Sequence, residues 1–199
     1  MNFPRTTLLA TCSLIAVSGF SQRREPDKIV DVTNVTKVTL LNPGFSYEAR
    51  IGKKQTLYGQ AFMNTSARDD YSEFYFDPAL TLQYRYYYNG KKRQEKGRRT
   101  ERNSMNYLAP VYEVVFSKAP FFDGYNNEPY RRAIHRFAAV WGFQRNYKGR
   151  FSLDLNLGLC YMFGWYSVNN NSFTDAFNKQ DDLTTFGRLN LGIWLNKRK

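Results

Sequence analysis

The chain has no apolar run, beyond its first two dozen residues, that approaches the ~20 consecutive residues a membrane-spanning helix requires. Mean hydropathy is low, at -0.59. Together these exclude a helical membrane protein. Cysteine is scarce, with Cys12 inside an apolar leader and Cys160 the only thiol beyond it, so no intramolecular disulfide is expected after export. Histidine is scarcer still. His135 stands alone, and no serine flanks it in Ile134-His135-Arg136-Phe137, so a hydrolytic nucleophile and base are not suggested. There is no metal-ligand cluster, phosphate-binding glycine loop or paired-carboxylate motif. The sequence therefore predicts no catalytic site, no metal and no cofactor.

What the chain has instead is aromatic residues, with 15 Tyr and 16 Phe in 199 residues, and a net charge of +12. Met1 to Arg5 carry one positive charge, Thr6 to Phe20 are apolar and small, and Gly19-Phe20-Ser21 offers small residues at the cleavage-determining positions. Residues 1–21 read as a secretory signal peptide and 22–31 as a short periplasmic segment, leaving 32–199 as one domain. The competing reading of the leader is a buried or anchoring helix.

The fold is carried by period-two alternation. Between Phe151 and Tyr166 the odd positions are Phe151, Leu153, Leu155, Leu157, Leu159, Tyr161, Phe163 and Trp165. The even positions are small, polar or charged, among them Ser152, Asp154, Asn156 and Gly158. Successive strand residues point to opposite faces, so one face is wholly apolar. The pattern recurs over Phe74–Tyr88, Phe137–Gln144 and Leu189–Leu195, and more weakly over Phe45–Ile51, Leu57–Asn64 and Leu108–Ser117, where Pro110 predicts a local irregularity. Val32–Leu41 supplies the candidate eighth strand, with Leu41-Asn42-Pro43-Gly44 as a tight turn; the alternative is one kinked strand across the Pro-Gly and a different total. The large aromatic face is too extensive for the inside of a narrow barrel, and its aromatics cluster near strand ends as interfacial girdles do. The prediction is an all-β, transmembrane, up-and-down antiparallel barrel of eight strands with its apolar face outward. Ser66–Ser72, Ala119–Arg131 and Ser167–Asp182 are read as its longer loops.

An eight-stranded barrel is just wide enough to be filled by side chains. The predicted inward charges are Glu48, Asp77, Glu113 and Asp154 against Arg50, Arg85, Arg136 and Arg188, a balanced network expected to plug the lumen. Glu113 and Arg136 should face each other across a ladder. By its parity His135 points to the lipid side. The positive charge falls on the short-turn side: Lys53, Lys54, Lys91, Lys92, Arg93, Lys96, Arg98, Arg99, Arg102, Lys148, Arg150 and Lys197-Arg198-Lys199. That placement argues against nucleic acid and for a basic rim beside membrane lipid. A docking surface for a periplasmic protein or cell-wall polymer is the sharper alternative. A lipid-modifying enzyme using His135 and a narrow solute conduit are the competing functions.

From Val35 to Lys199, through Leu41-Asn42-Pro43, Ser46-Tyr47-Glu48-Ala49-Arg50 and the alternating strands, the chain resembles the small outer-membrane β-barrel proteins of Bacteroidota, within the OmpA-like transmembrane barrel group. The resemblance implies an outer-membrane barrel with a Tyr-Glu pair in an early strand and no assigned activity. One departure is the ending Trp194-Leu195-Asn196-Lys197-Arg198-Lys199, with its aromatic set back from the terminus, which implies either that assembly is signalled through Trp194 or that the basic tail is tolerated.

Overall fold

Strict alternation of apolar and polar residues cannot be satisfied by a helix, and a sheet built from it must close or leave an edge. The computed structural model, which describes residues 30–67, 74–117, 132–168 and 176–196, closes it. Eight strands form one ring in sequence order: β1 Val35–Thr39, β2 Gly44–Arg50, β3 Gln55–Ala67, β4 Phe74–Tyr87, β5 Asn106–Ser117, β6 Arg132–Asn146, β7 Phe151–Val168 and β8 Ala176–Trp194. Every neighbouring pair is antiparallel, and β1 closes on β8 through Lys37↔Trp194, Val38↔Ile193 and Thr39↔Gly192. No helix among the described residues is long and apolar enough to cross a membrane.

The alternation sets which face looks out. Leu57, Leu80, Leu82, Leu157, Leu159, Phe137 and Leu189 are exposed on the outer surface. Glu48, Asp77, Arg85, Glu113, Asp154 and Arg188 are buried inside. Pro110 lacks the donor that a ladder needs, and the β4–β5 pairing is interrupted beside it, between Gln83↔Val111 and Tyr86↔Leu108, without a change of register.

Two expectations are corrected at element ends. β1 is shorter than Val32–Leu41, because Val32 leaves the sheet and is buried at the barrel mouth. Residues 167–182 are not all loop: β7 runs to Val168 and β8 starts at Ala176. This extension holds Asn178, Lys179, Gln180, Asp181 and Asp182, whose polarity hides the period-two signal. Trp194 sits on the inner face, as the alternation of Leu189–Leu195 requires, 1% exposed, with its indole N–H donating to the Tyr147 carbonyl at 2.9 Å. The exposed residue there is Leu195. The predicted leader, the acidic pair Asp69-Asp70 and the basic tail 197–199 lie outside the described residues.

The long connection between β4 and β5 is folded. It holds a short helix, α1 (Gly90–Glu95), and a 3-10 turn (Glu101–Asn103). Lys92 and Arg93 stand in the last turn of α1, where the helix dipole favours cations. The chain reverses through Arg102 (φ 51°) and Asn103 (φ 61°), the left-handed region that asparagine tolerates better than most residues.

Candidate functional site

Among the described residues, the lumen is where chemistry-bearing side chains converge. Its inner-facing charges fall into two tiers, each pairing two cations with two carboxylates.

The tier nearer the short-turn rim joins Lys37 of β1, Glu48 of β2, Arg85 of β4 and Asp154 of β7. Arg85 Nη1 lies 2.9 Å from Asp154 Oδ2, and Lys37 Nζ lies 3.5 Å from the same oxygen. Glu48 receives hydroxyl protons from Thr56 at 2.6 Å and Tyr87 at 2.5 Å. Gln144 of β6 links the two carboxylates' surroundings. Its Oε1 accepts from Lys37 Nζ at 2.7 Å and from Arg85 Nη1 at 2.8 Å, while its Nε2 donates to Glu48 Oε2 at 3.1 Å. The Arg85 guanidinium is held between the Tyr58 and Tyr107 rings, 3.7 and 4.3 Å from their centroids, and the Tyr107 hydroxyl meets Asp154 Oδ1 at 2.6 Å. A flat cation between two ring faces gains from both quadrupoles. These groups come from seven strands and are essentially excluded from solvent, which is the condition under which buried ions must be paired and hydrogen-bonded.

The second tier lies toward the longer loops. Glu113 of β5 stands opposite Arg136 of β6 in the register, and Arg136 Nη1 donates to Glu113 Oε1 at 3.1 Å. Arg188 of β8 pairs with the other carboxylate oxygen through Nη2, and its guanidinium lies over the Phe62 ring at 4.4 Å. Asp77 is buried on β4, opposite Asn64.

Seven of the eight predicted network residues thus face the lumen, and Arg50 does not. Parity put it beside Glu48, but it is the last residue of β2, past the rim. Its side chain is solvent-exposed and reaches Asp31, 3.1 Å away. Lys37 takes its place in the balance. Sequence reasoning passed over Lys37 because β1 is only 5 residues long, too short to display a period, although Val38 and Leu40 on the opposite face carry the signal. Gln144 was placed on the inner face, but its bridging role needs three-dimensional register.

The basic segment 89–103 also has a structural part. Asn103 and Thr33 exchange two hydrogen bonds of 2.8 Å, and the Arg102 carbonyl accepts from Gln144 Nε2 at 3.3 Å and Asn146 Nδ2 at 2.5 Å. The Arg102 guanidinium lies 3.9 Å from the Trp194 ring centroid. Val32 and Met105, both fully buried, complete a cap over the short-turn mouth. Arg93 donates to the Arg99 carbonyl, and burial together with neighbouring Arg98 pulls its guanidinium below the ordinary value. Arg99 is held by Glu101 at 2.8 Å. Lys92, Lys96 and Arg98 are exposed, and Lys91 is half-buried. The basic rim therefore divides into residues that build the cap and residues that face outward from it.

On the outer surface His135 Nδ1 meets the Tyr112 hydroxyl at 2.9 Å, and the ring stacks with Phe163 at 5.1 Å between centroids. Its surroundings are an aromatic cluster of the apolar face. Cys160 is buried beside Ala138 and Met162. No protein-family model, curated protein or solved structure matches this chain.

Proposed function

We propose that the chain is an outer-membrane β-barrel whose lumen is plugged rather than conducting, serving a structural or interaction role through its loops and basic rim. The observation that carries this reading is an inversion of the usual order of a soluble protein. Large apolar side chains encircle the outside, up to 69% exposed at Leu183, while Arg, Lys, Asp and Glu fill the inside. Water on the outside would make that surface a liability of aggregation; hydrocarbon would make it the solvent-matched face. The leader reading of residues 1–21 and the OmpA-like resemblance support the same placement. In that frame the short-turn rim is periplasmic, and Lys92, Lys96 and Arg98 face anionic headgroups, a periplasmic protein or cell-wall polymer.

The plug reading rests on the tier around Arg85, where side chains from seven strands meet across the lumen with hydrogen bonds at both carboxylates. The test is fractionation of a Gram-negative host expressing the full chain, followed by electrophoresis with and without heating. The expected outcome is recovery in the outer membrane with a faster-migrating unheated band. Recovery as a folded protein in the detergent-free soluble fraction would overturn the proposal.

A further inference from the structure

The wall of the barrel is uneven. β7 and β8 have 18 and 19 residues, whereas β1 and β2 have 5 and 7. β8 pairs with β1 only at Gly192, Ile193 and Trp194, and the last β2 partner on β3 is Phe62. Beyond the β1–β2 turn, among the described residues, Leu183–Leu189 of β8 and Met63–Ala67 of β3 have no strand between them. Two missing strands at ~4.8 Å spacing leave an opening of roughly 14 Å.

The opening lies at the depth of the apolar surface. Leu183 on β8 and Phe76 on β4, whose register partner is Thr65, remain exposed on either side of it, and Leu41 is exposed at the tip of the turn below. Behind it is a cavity of about 620 Å³ lined by Leu41, Met162, Phe186 and Leu189 together with Arg136 and Arg188. Arg188 is more than nine-tenths buried, and while its Nη2 holds Glu113, its Nη1 has no hydrogen-bond partner. A buried guanidinium donor left unpaired is costly, and a carboxylate or phosphate is the acceptor that its planar fork fits.

We infer that this window admits the acidic headgroup of a membrane lipid to Arg188, while the hydrocarbon chain stays outside against Leu41 and Leu183. A lipid is favoured over a dissolved anion because large apolar side chains, Leu41, Phe76 and Leu183, stand exposed around the window beside the neutral Asn42, Thr184 and Thr185, with no charged side chain among the described residues that line the cavity apart from Arg136 and Arg188. The inference rests on the membrane placement proposed above.

The probe is a long-chain fatty acid carrying a photoreactive diazirine within a few carbons of its carboxylate, added to proteoliposomes of the full chain made with zwitterionic lipid. Cross-links mapped by mass spectrometry should concentrate on residues 160–162 and 184–189. The corresponding fatty alcohol should label the outer belt without this concentration. Arg188→Gln should lower cavity labelling at least about tenfold, as loss of a charge-assisted contact does. Thr184→Trp, which narrows the cavity while leaving every residue of the charge network in place, should do the same in a barrel that still migrates as folded. Even labelling around the belt, unaffected by Thr184→Trp in an inserted and heat-modifiable barrel, would overturn the window. Displacement by millimolar inorganic phosphate would overturn the lipid and leave a free-anion site. A chain that does not insert at all contradicts the membrane placement instead, so the two failures are separable.

Discussion

Asp154 neutralises two cations at once, and its removal should expose how strictly the lumen counts charge. Arg85 and Lys37 lie 2.9 and 3.5 Å from Asp154 Oδ2, at side-chain exposures of 0% and 3%. At an effective dielectric of about 20 each attraction is about 5 to 6 kcal/mol before desolvation is subtracted. Asp154→Asn keeps the shape and leaves Arg85 and Lys37 with Glu48 alone, one cation in excess. Breaking a buried pair from one side costs about 3–5 kcal/mol. Lys37→Met keeps the chain length and leaves Asp154 with Arg85, at a smaller cost of about 1–3 kcal/mol for the lost charged hydrogen bonds. The double variant restores neutrality through Arg85 and Glu48. It should therefore be more stable than Asp154→Asn alone, with a coupling energy of about 2 kcal/mol or more. The assay is urea unfolding of vesicle-inserted protein followed by tryptophan fluorescence, in which 3–5 kcal/mol moves the midpoint by about 1–3 M. A double variant that loses the sum of the two single costs would refute the reasoning, because the tier would then be a set of independent contacts.

Other consequences follow from the cap and from close packing. Asn103→Ala removes both hydrogen bonds to Thr33 and places a residue less tolerant of φ 61° at the turn, so unfolding should become easier by about 1–3 kcal/mol in the same urea assay. Gly142→Ala would put a Cβ 2.4 Å from Tyr107 Cζ, displacing the ring that holds Arg85 and Asp154. Its expected cost is about 1–3 kcal/mol, and an unshifted midpoint would show that Tyr107 has room to move. Replacing Lys92, Lys96 and Arg98 by Gln should leave stability unchanged while weakening attachment of the folded barrel to anionic vesicles by up to about 1 kcal/mol per cation, measured by co-sedimentation.

The strands were legible because an apolar belt and a polar lumen write their period into every second residue, and Phe151–Tyr166 shows that period without an error on the apolar side. The Glu113–Arg136 register was legible because the two residues stand almost equally far from the middle of the intervening loop. Where the apolar belt stops, the signal stops too, which is why the polar start of β8 read as loop. Arg50 shows the reverse error: parity was carried one residue past the rim, where there is no longer an inside. The cap of Val32, Arg102, Asn103 and Met105 joins segments about 70 residues apart by single side chains and backbone carbonyls, and no periodicity records such contacts. The window is invisible in any one strand, because it arises from the difference in length between β1–β2 and β7–β8.

The orientation of the wall is tested most directly along β7. With Cys160 replaced by Ala, spin labels placed singly at positions 153 to 159 would be compared for collisions with oxygen, which partitions into hydrocarbon, and with a water-soluble nickel chelate. Odd positions, including Leu157 and Leu159, should favour oxygen, and even positions, including Asp154 and Asn156, should be shielded from both. Odd positions immobile and shielded in a protein that stays monodisperse without detergent would contradict a barrel turned outward to lipid.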